Sequence, residues 1–246
     1  MRTIATILFV LFLWSTSAAA QSLPNLQDLI PDGSPTASGR IVQFVALITV
    51  LSVAPGLLIM VTCFTRLIVA LSFLRSGLGL QTTPANLILI SLAMFMTFYI
   101  MAPTFERAWN EGVKPLSESK ITQAEAYQKI TEPFREFMLA NVREKDLEMF
   151  EEIAKEKFKL QEAPKEVELR VLIPAFMISE LRRGFEIGFL IVLPFLVIDM
   201  IVATLTMSMG MMMLPPTVIS LPFKILFFVL IDGWHLIVSS MIRSFA

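Results

Sequence analysis

From Met207 to Lys224 the chain reads M-S-M-G-M-M-M-L-P-P-T-V-I-S-L-P-F-K, with five methionines up to Met213 and the pair Pro215-Pro216 close behind. Gly210 admits conformations closed to other residues, each proline removes a backbone donor, and Pro216 pushes Pro215 toward extended geometry. A regular membrane helix cannot run through such a stretch, so it must split the apolar C-terminal part of the chain into two segments. Irregular backbone between apolar segments is tolerated only where protein buries it or a cavity runs past it. Methionine is unbranched and polarizable, and a cluster of it suits a surface that must seal yet re-pack. Met209, Gly210, Met211, Met212 and Met213 therefore read as a deformable apolar gasket, shaped by Pro215 and Pro216. An ordinary interhelical turn filled with hydrophobes accounts for the methionine content equally well.

Outward from that turn the chain is built for a membrane. Apolar residues make up 55% of its 246 residues and charged residues 17%, and the mean hydropathy is +0.71. This is too apolar for a soluble domain of that length. Four apolar segments follow one another: Ile41 to Thr65, Ser76 to Phe105, Ile187 to Met207 and Val218 to Ile242. Each is long enough for a bilayer, which predicts an all-α membrane protein of helical hairpins. The expected organisation is a first hydrophobic hairpin over 41–105, a polar helical insert over 106–170, and a second hairpin over 171–246 carrying the methionine-rich loop 207–216. Ahead of these, Arg2, the apolar run Ile4 to Trp14 and Ala18-Ala19-Ala20 have the pattern of a cleavable signal peptide over 1–20. An extended leader over 21–40 is expected from Pro24, Pro31 and Pro35. Arg66 and Arg75 flank what reads as the loop between the first two segments, which places that loop in the cytoplasm. The insert is then periplasmic and the methionine loop faces inward.

The insert has its own helical signals. Thr122-x-x-Glu125 fits a capping box, and Tyr127, Ile130, Phe134 and Phe137 follow at helical spacing. Thr131 and Pro133 suggest a break and restart between them. Arg143 to Phe158 reads as a second amphipathic helix with Leu147, Phe150, Ile153, Ala154 and Phe158 on one side. Two such helices bury little area alone, so packing on neighbouring copies is expected.

The costly residues lie within or beside the apolar segments: Glu180, Arg182, Arg183 and Glu186 before the third, Asp199 inside it, and Lys224 and Asp232 in the fourth. Charges in hydrocarbon usually face a bundle interior and pair. Glu180 and Arg183 share a helical face at i,i+3. Asp199 and Lys224 flank the methionine loop and can meet within one chain, if the helices form a hairpin, or across to the next. A proton relay, salt bridges setting subunit register and an ordinary interfacial helix start all compete here; the matched numbers of acids and bases favour pairing. Glu180, Arg183, Asp199 and Lys224 are accordingly the candidate subunit-packing charges.

Catalytic and cofactor chemistry finds no support. Cys63 is the only cysteine and His235 the only histidine, so neither a disulfide framework nor a metal site is expected. His235 beside Trp234 suits interfacial packing. No nucleotide-binding or hydrolase motif occurs, and no basic block points to nucleic acid. A small-solute or proton transporter would carry an internal repeat and a midplane site, and no clear repeat is visible.

Several longer strings resemble the FliP family of flagellar export-gate proteins. They are I-P-A-F-M-I-S-E-L-R-R-G-F-E-I-G-F from Ile173 to Phe189, L-P-F-L-V-I-D-M from Leu193 to Met200, M-G-M-M-M-L-P-P from Met209 to Pro216 and I-S-L-P-F-K from Ile219 to Lys224. The likeness extends to F-T-R-L-I-V-A-L-S-F-L-R from Phe64 to Arg75 and F-R-E-F-M-L-A-N-V-R-E-K-D-L from Phe134 to Leu147, leaving the leader and Glu106 to Gln123 generic. The resemblance implies a subunit of a type III protein-export channel. The flagellar branch is favoured over the injectisome branch by the leader and the methionine wording. It further implies self-association with FliQ and FliR, contact with FlhB and FlhA, exported flagellar proteins as substrates, and a place at the basal body in the bacterial inner membrane. Under that resemblance the methionine loop lines a constriction, Asp199 and Lys224 stabilise packing between subunits, and the helices form kinked hairpins partly lifted above the bilayer.

Overall fold

The computed structural model describes residues 37–80, 84–158, 167–210 and 215–245, and all its regular elements there are helical, with no strand among the described residues. The expected signal peptide and most of the expected leader lie outside these residues. Two compact units divide at Ala54 and Pro55. Helix α1 (Ala37–Met60) runs across that division and already includes the last residues assigned to an extended leader. Its apolar side chains, such as Val45, Ile48 and Leu51, are exposed.

The second unit is organised around α2 (Phe64–Gly77), and here the sequence expectation needs correcting. The stretch from Arg66 to Arg75 is not a loop between spans. It contains no proline and only one serine among apolar residues, and it forms a helix whose Leu67, Ala70, Leu71 and Leu74 are essentially inaccessible. Arg66 and Arg75 are nine residues apart, about two and a half turns at ~3.6 residues per turn, so they leave α2 on opposite sides. Only Arg75 remains available for a charge-based topology argument, because Arg66 is 1% exposed. The second apolar segment correspondingly begins later, as α3 (Asn86–Ala108).

Helix α3 passes through a wider turn at Trp109–Val113 into a short α4 (Lys114–Ser117). The wide turn sets Gly112 against the next helix, where an added Cβ would lie 2.4 Å from Ile130. That next helix, α5 (Gln123–Asn141), opens with the expected capping box: Glu125 N–H donates to Thr122 Oγ1 at 3.3 Å, and Thr122 N–H donates to Glu125 Oε2 at 2.9 Å. The backbone N–H of Thr122, then its hydroxyl, hold the Glu125 carboxyl below its ordinary range. The break expected at Thr131 and Pro133 does not occur. Pro133 is fully buried inside a continuous helix, where packing of its ring offsets the lost bond and the crowding at the carbonyl of Lys129. Helix α6 (Glu144–Phe158) follows, with Leu147 packed against a small core of Met138, Leu172 and Phe176. Ala154 is buried and Ile153 exposed; the side chain of Phe158 is outside the described residues. Within this chain the two insert helices thus pack on its own long helix, through Leu172 and Phe176.

That long helix, α7 (Leu169–Ser208), has 40 residues and runs through Pro174 and Pro194 without a break. At ~1.5 Å per residue it is about 60 Å long, roughly twice a hydrocarbon core of about 30 Å. Glu180 to Glu186 are therefore mid-helix residues and not a helix start. Its partner α8 (Pro216–Leu230) is joined to α9 (Gly233–Arg243) at a bend of 63°. Asp232, in left-handed geometry with φ 51°, makes the corner, and Gly233 must be glycine-sized because Phe228 lies 2.2 Å from the site of a Cβ. The fourth apolar segment is thus two helices. Among the described residues three helices are long and apolar enough to cross a membrane, and the bent pair makes a fourth if counted as one span.

Candidate functional site

Helices α2 and α7 lie side by side because small residues let their backbones approach. A Cβ on Gly184 would stand 3.2 Å from the Arg66 carbonyl oxygen, one on Gly188 would meet Phe73 at 2.6 Å, and one on Gly77 would meet Val192 at 2.9 Å. Gly184 and Gly188 are four apart, the small-x-x-x-small spacing of close helix pairs in membranes. Position 184 meets position 66 and position 192 meets position 77, so the two helices run parallel. An ion pair stands at each end of this parallel contact, one fully buried and one partly exposed.

At the far end, Asp199 on α7 meets Lys224 on α8. Lys224 Nζ donates to Asp199 Oδ2 at 2.6 Å and to the carbonyl oxygen of Gly77, the last residue of α2, at 3.0 Å. Ser220 Oγ donates to Asp199 Oδ1 at 2.5 Å. Lys224 is 4% exposed, whereas the Asp199 side chain is 28% exposed. The charges flanking the methionine turn therefore meet within one chain, and they tie α7, α8 and the end of α2 together.

The two described ends of the methionine stretch lie beyond that clamp. Helix α7 ends at Ser208, with Met209 N–H bonded to Leu205 O at 3.1 Å. Gly210 has φ +73°, the left-handed conformation in which glycine ends helices at no steric cost. Pro215 caps α8 in extended geometry and Pro216 is its first residue, the position where a missing donor costs nothing. Met207 and Met209 are 63% and 71% exposed. Met211, Met212 and Met213 lie outside the described residues.

At the near end, Arg66 reaches Glu180 with two donors. Nε bonds Oε2 at 2.9 Å and Nη2 bonds Oε1, with both side chains out of water. Nη1 also reaches Ser244 O at 3.3 Å and Ser244 Oγ at 3.2 Å, Nη2 reaches Asn141 Oδ1 at 3.5 Å, and the guanidinium lies 3.6 Å from the centre of the Phe245 ring. The planar fork of arginine suits this many partners at once. One side chain therefore joins α2, α7, the end of α5 and the residues after α9. Beside it, Ser179 Oγ accepts from Arg143 N–H at 3.0 Å and stands 2.7 Å from Asp146 Oδ2, fixing the start of α6 on α7.

Set against the sequence candidates, the structure joins Asp199 to Lys224 and places Glu180 against Arg66 instead of Arg183. Arg182 pairs with Glu186 on the surface at 2.9 Å. Two contributors escaped the sequence reading. Arg66 reads as a loop residue by hydropathy, and its partner lies 114 positions away. Gly184 and Gly188 carry a legible signal in their i,i+4 spacing.

A family model described as the FliP family matches residues 47–241. A protein of Rhizobium meliloti named flagellar biosynthetic protein FliP is 59% identical over 246 residues, with 100% of each chain covered. Its namesake in Bacillus subtilis is 54% identical over 204 residues, covering 83% of this chain and 91% of the relative. A third relative of that name, from Aquifex aeolicus, is 41% identical over 245 residues and covers 100% of both chains.

Proposed function

The chain belongs to the FliP family, and from that premise we propose that it is a structural subunit of the flagellar protein-export apparatus. It works at a bacterial cell membrane and carries out no catalysis. In this reading the turn from Met207 to Pro216 is the seal of a channel through which unfolded flagellar proteins pass. Copies of the chain assemble with FliQ and FliR, near FlhB and FlhA, and the insert faces the periplasm.

The observation that carries the proposal is the clamp at the foot of the methionine stretch. Asp199 and Lys224 hold α7 and α8 together below the turn, while Met207 and Met209 stand exposed at its base. A rigid clamp beneath a soft, apolar tip suits a seal that must re-pack around different chains without losing its position. An α7 of about twice the membrane thickness also fits a helix that continues beyond the bilayer in an assembly.

The test is replacement of Met209, Met211, Met212 and Met213 by alanine. Ion leakage should rise, or growth should suffer, with assembly retained. Unchanged permeability and unchanged export would remove the seal.

A further inference from the structure

A cavity of about 270 Å³ lies between the end of α2, the start of α3 and the α8–α9 corner. Leu74, Leu89, Phe228 and Val229 are among its walls, and Arg75 is the one charged residue that lines it. Arg75 is half-buried, and among the described residues its guanidinium has no hydrogen bond or ion pair. Lys224 nearby is already neutralised by Asp199, so it offers no free charge. Position in the last turn of α2 gives Arg75 the favourable end of the helix dipole, and its five donors have no protein partner among the described residues.

The depth of the site narrows the occupant. Helix α3 carries no charge from Asn86 to Phe105, about 30 Å of helix, enough for one hydrocarbon core. Arg75 shares the cavity with Pro84 and Leu89, at the start of that run, which is the level of lipid headgroups for a helix that crosses. Trp234 lines the same cavity and is 42% exposed, a residue type enriched at that level. An apolar hollow beside a guanidinium without a partner among the described residues, at headgroup depth, matches a molecule with a hydrocarbon tail and an anionic head.

We propose that this cavity binds an anionic phospholipid. Its phosphate bonds the Arg75 guanidinium, and one acyl chain lies along Leu74, Leu89, Phe228 and Val229. A free phosphate would leave the apolar walls empty. A zwitterionic lipid brings its own cation to the phosphate and competes less well for Arg75. The site is independent of what the methionine turn does.

The experiment is native mass spectrometry of the full chain in detergent, titrated with phosphatidylglycerol and phosphatidylcholine at equal concentration. Phosphatidylglycerol should be retained about fivefold better, the weight of one basic side chain near an anionic membrane surface. Arg75→Gln should abolish that preference, and Arg75→Lys should keep most of it. Val229→Trp, which fills the hollow from an exposed position, should weaken both lipids. Equal retention of the two lipids by the unaltered chain, or a preference that survives Arg75→Gln, overturns the proposal. So does a photoreactive phosphatidylglycerol that labels the chain everywhere except these walls.

Discussion

Arg66 and Asp199 mark the two ends of the α2–α7 contact, and they are held in different ways. Arg66 and Glu180 are both out of water, and the guanidinium contacts Asn141, Ser244 and the Phe245 ring as well. Asp199 keeps 28% of its side chain exposed and is held by one lysine and one serine. The first arrangement fixes four parts of the chain with one side chain and leaves it no alternative partner. The second clamps a hairpin while leaving its carboxylate open on one side, where a neighbouring subunit or water can reach it. The end beside the insert is a junction, and the end beside the methionine turn is a clamp that can still be engaged from outside.

The largest effect expected from breaking this comparison is at the junction. Glu180→Ala leaves Arg66 buried without its anion, which typically destabilises by about 3–5 kcal/mol. Thermal unfolding in detergent should show it, and Arg66→Ala should match it in size. Because the pair acts as a unit, the double variant should cost clearly less than the sum of the two. If the effects simply add, the two residues do not depend on each other and the junction account fails.

The clamp should respond less in stability and more in assembly. Asp199→Ala removes the bonds from Lys224 and Ser220, and Lys224→Ala those to Asp199 and Gly77, each worth about 1.5–3 kcal/mol at full burial and less here because Asp199 is open to water on one side. Recovery of the oligomer should drop more than membrane insertion of the single chain. Normal assembly with blocked proton-coupled export would replace the clamp by a relay.

The smallest effect belongs to the insert. Thr122→Ala removes the N-cap of α5, worth about 1 kcal/mol. Glu125, held low by Thr122, and Glu136, held low by the Arg107 hydrogen bond, are both exposed. Their folded pKa values lie below the unfolded ones, so their contribution is present above the ordinary carboxylate range of about 4. It is lost as pH falls through the depressed values. Helicity of the insert followed by circular dichroism should therefore soften only in that acid window, and earlier in Thr122→Ala.

How much of this was legible follows from where each signal resides. The capping box, the two insert helices and the interruption at Gly210 to Pro216 are local, and local chemistry announced them. Asp199 and Lys224 were legible as a possible pair because a hairpin folds them together across a short turn. Arg66 was not, since hydropathy treats an arginine buried against Glu180 and one lying in a headgroup layer alike. The same blindness turned α2, a central helix, into a loop between spans. Pro133 misleads in the other direction, because full burial of its ring offsets the roughly 3 kcal/mol that proline costs a helix interior.

The central claim is that the methionine turn lies on the path of exported chains. Site-specific photocrosslinking from Met212, in cells carrying a stalled export substrate, tests it most directly. The account predicts a crosslink to the substrate. Crosslinks only to other copies of this chain or to lipid would contradict it and leave the turn as an element of assembly.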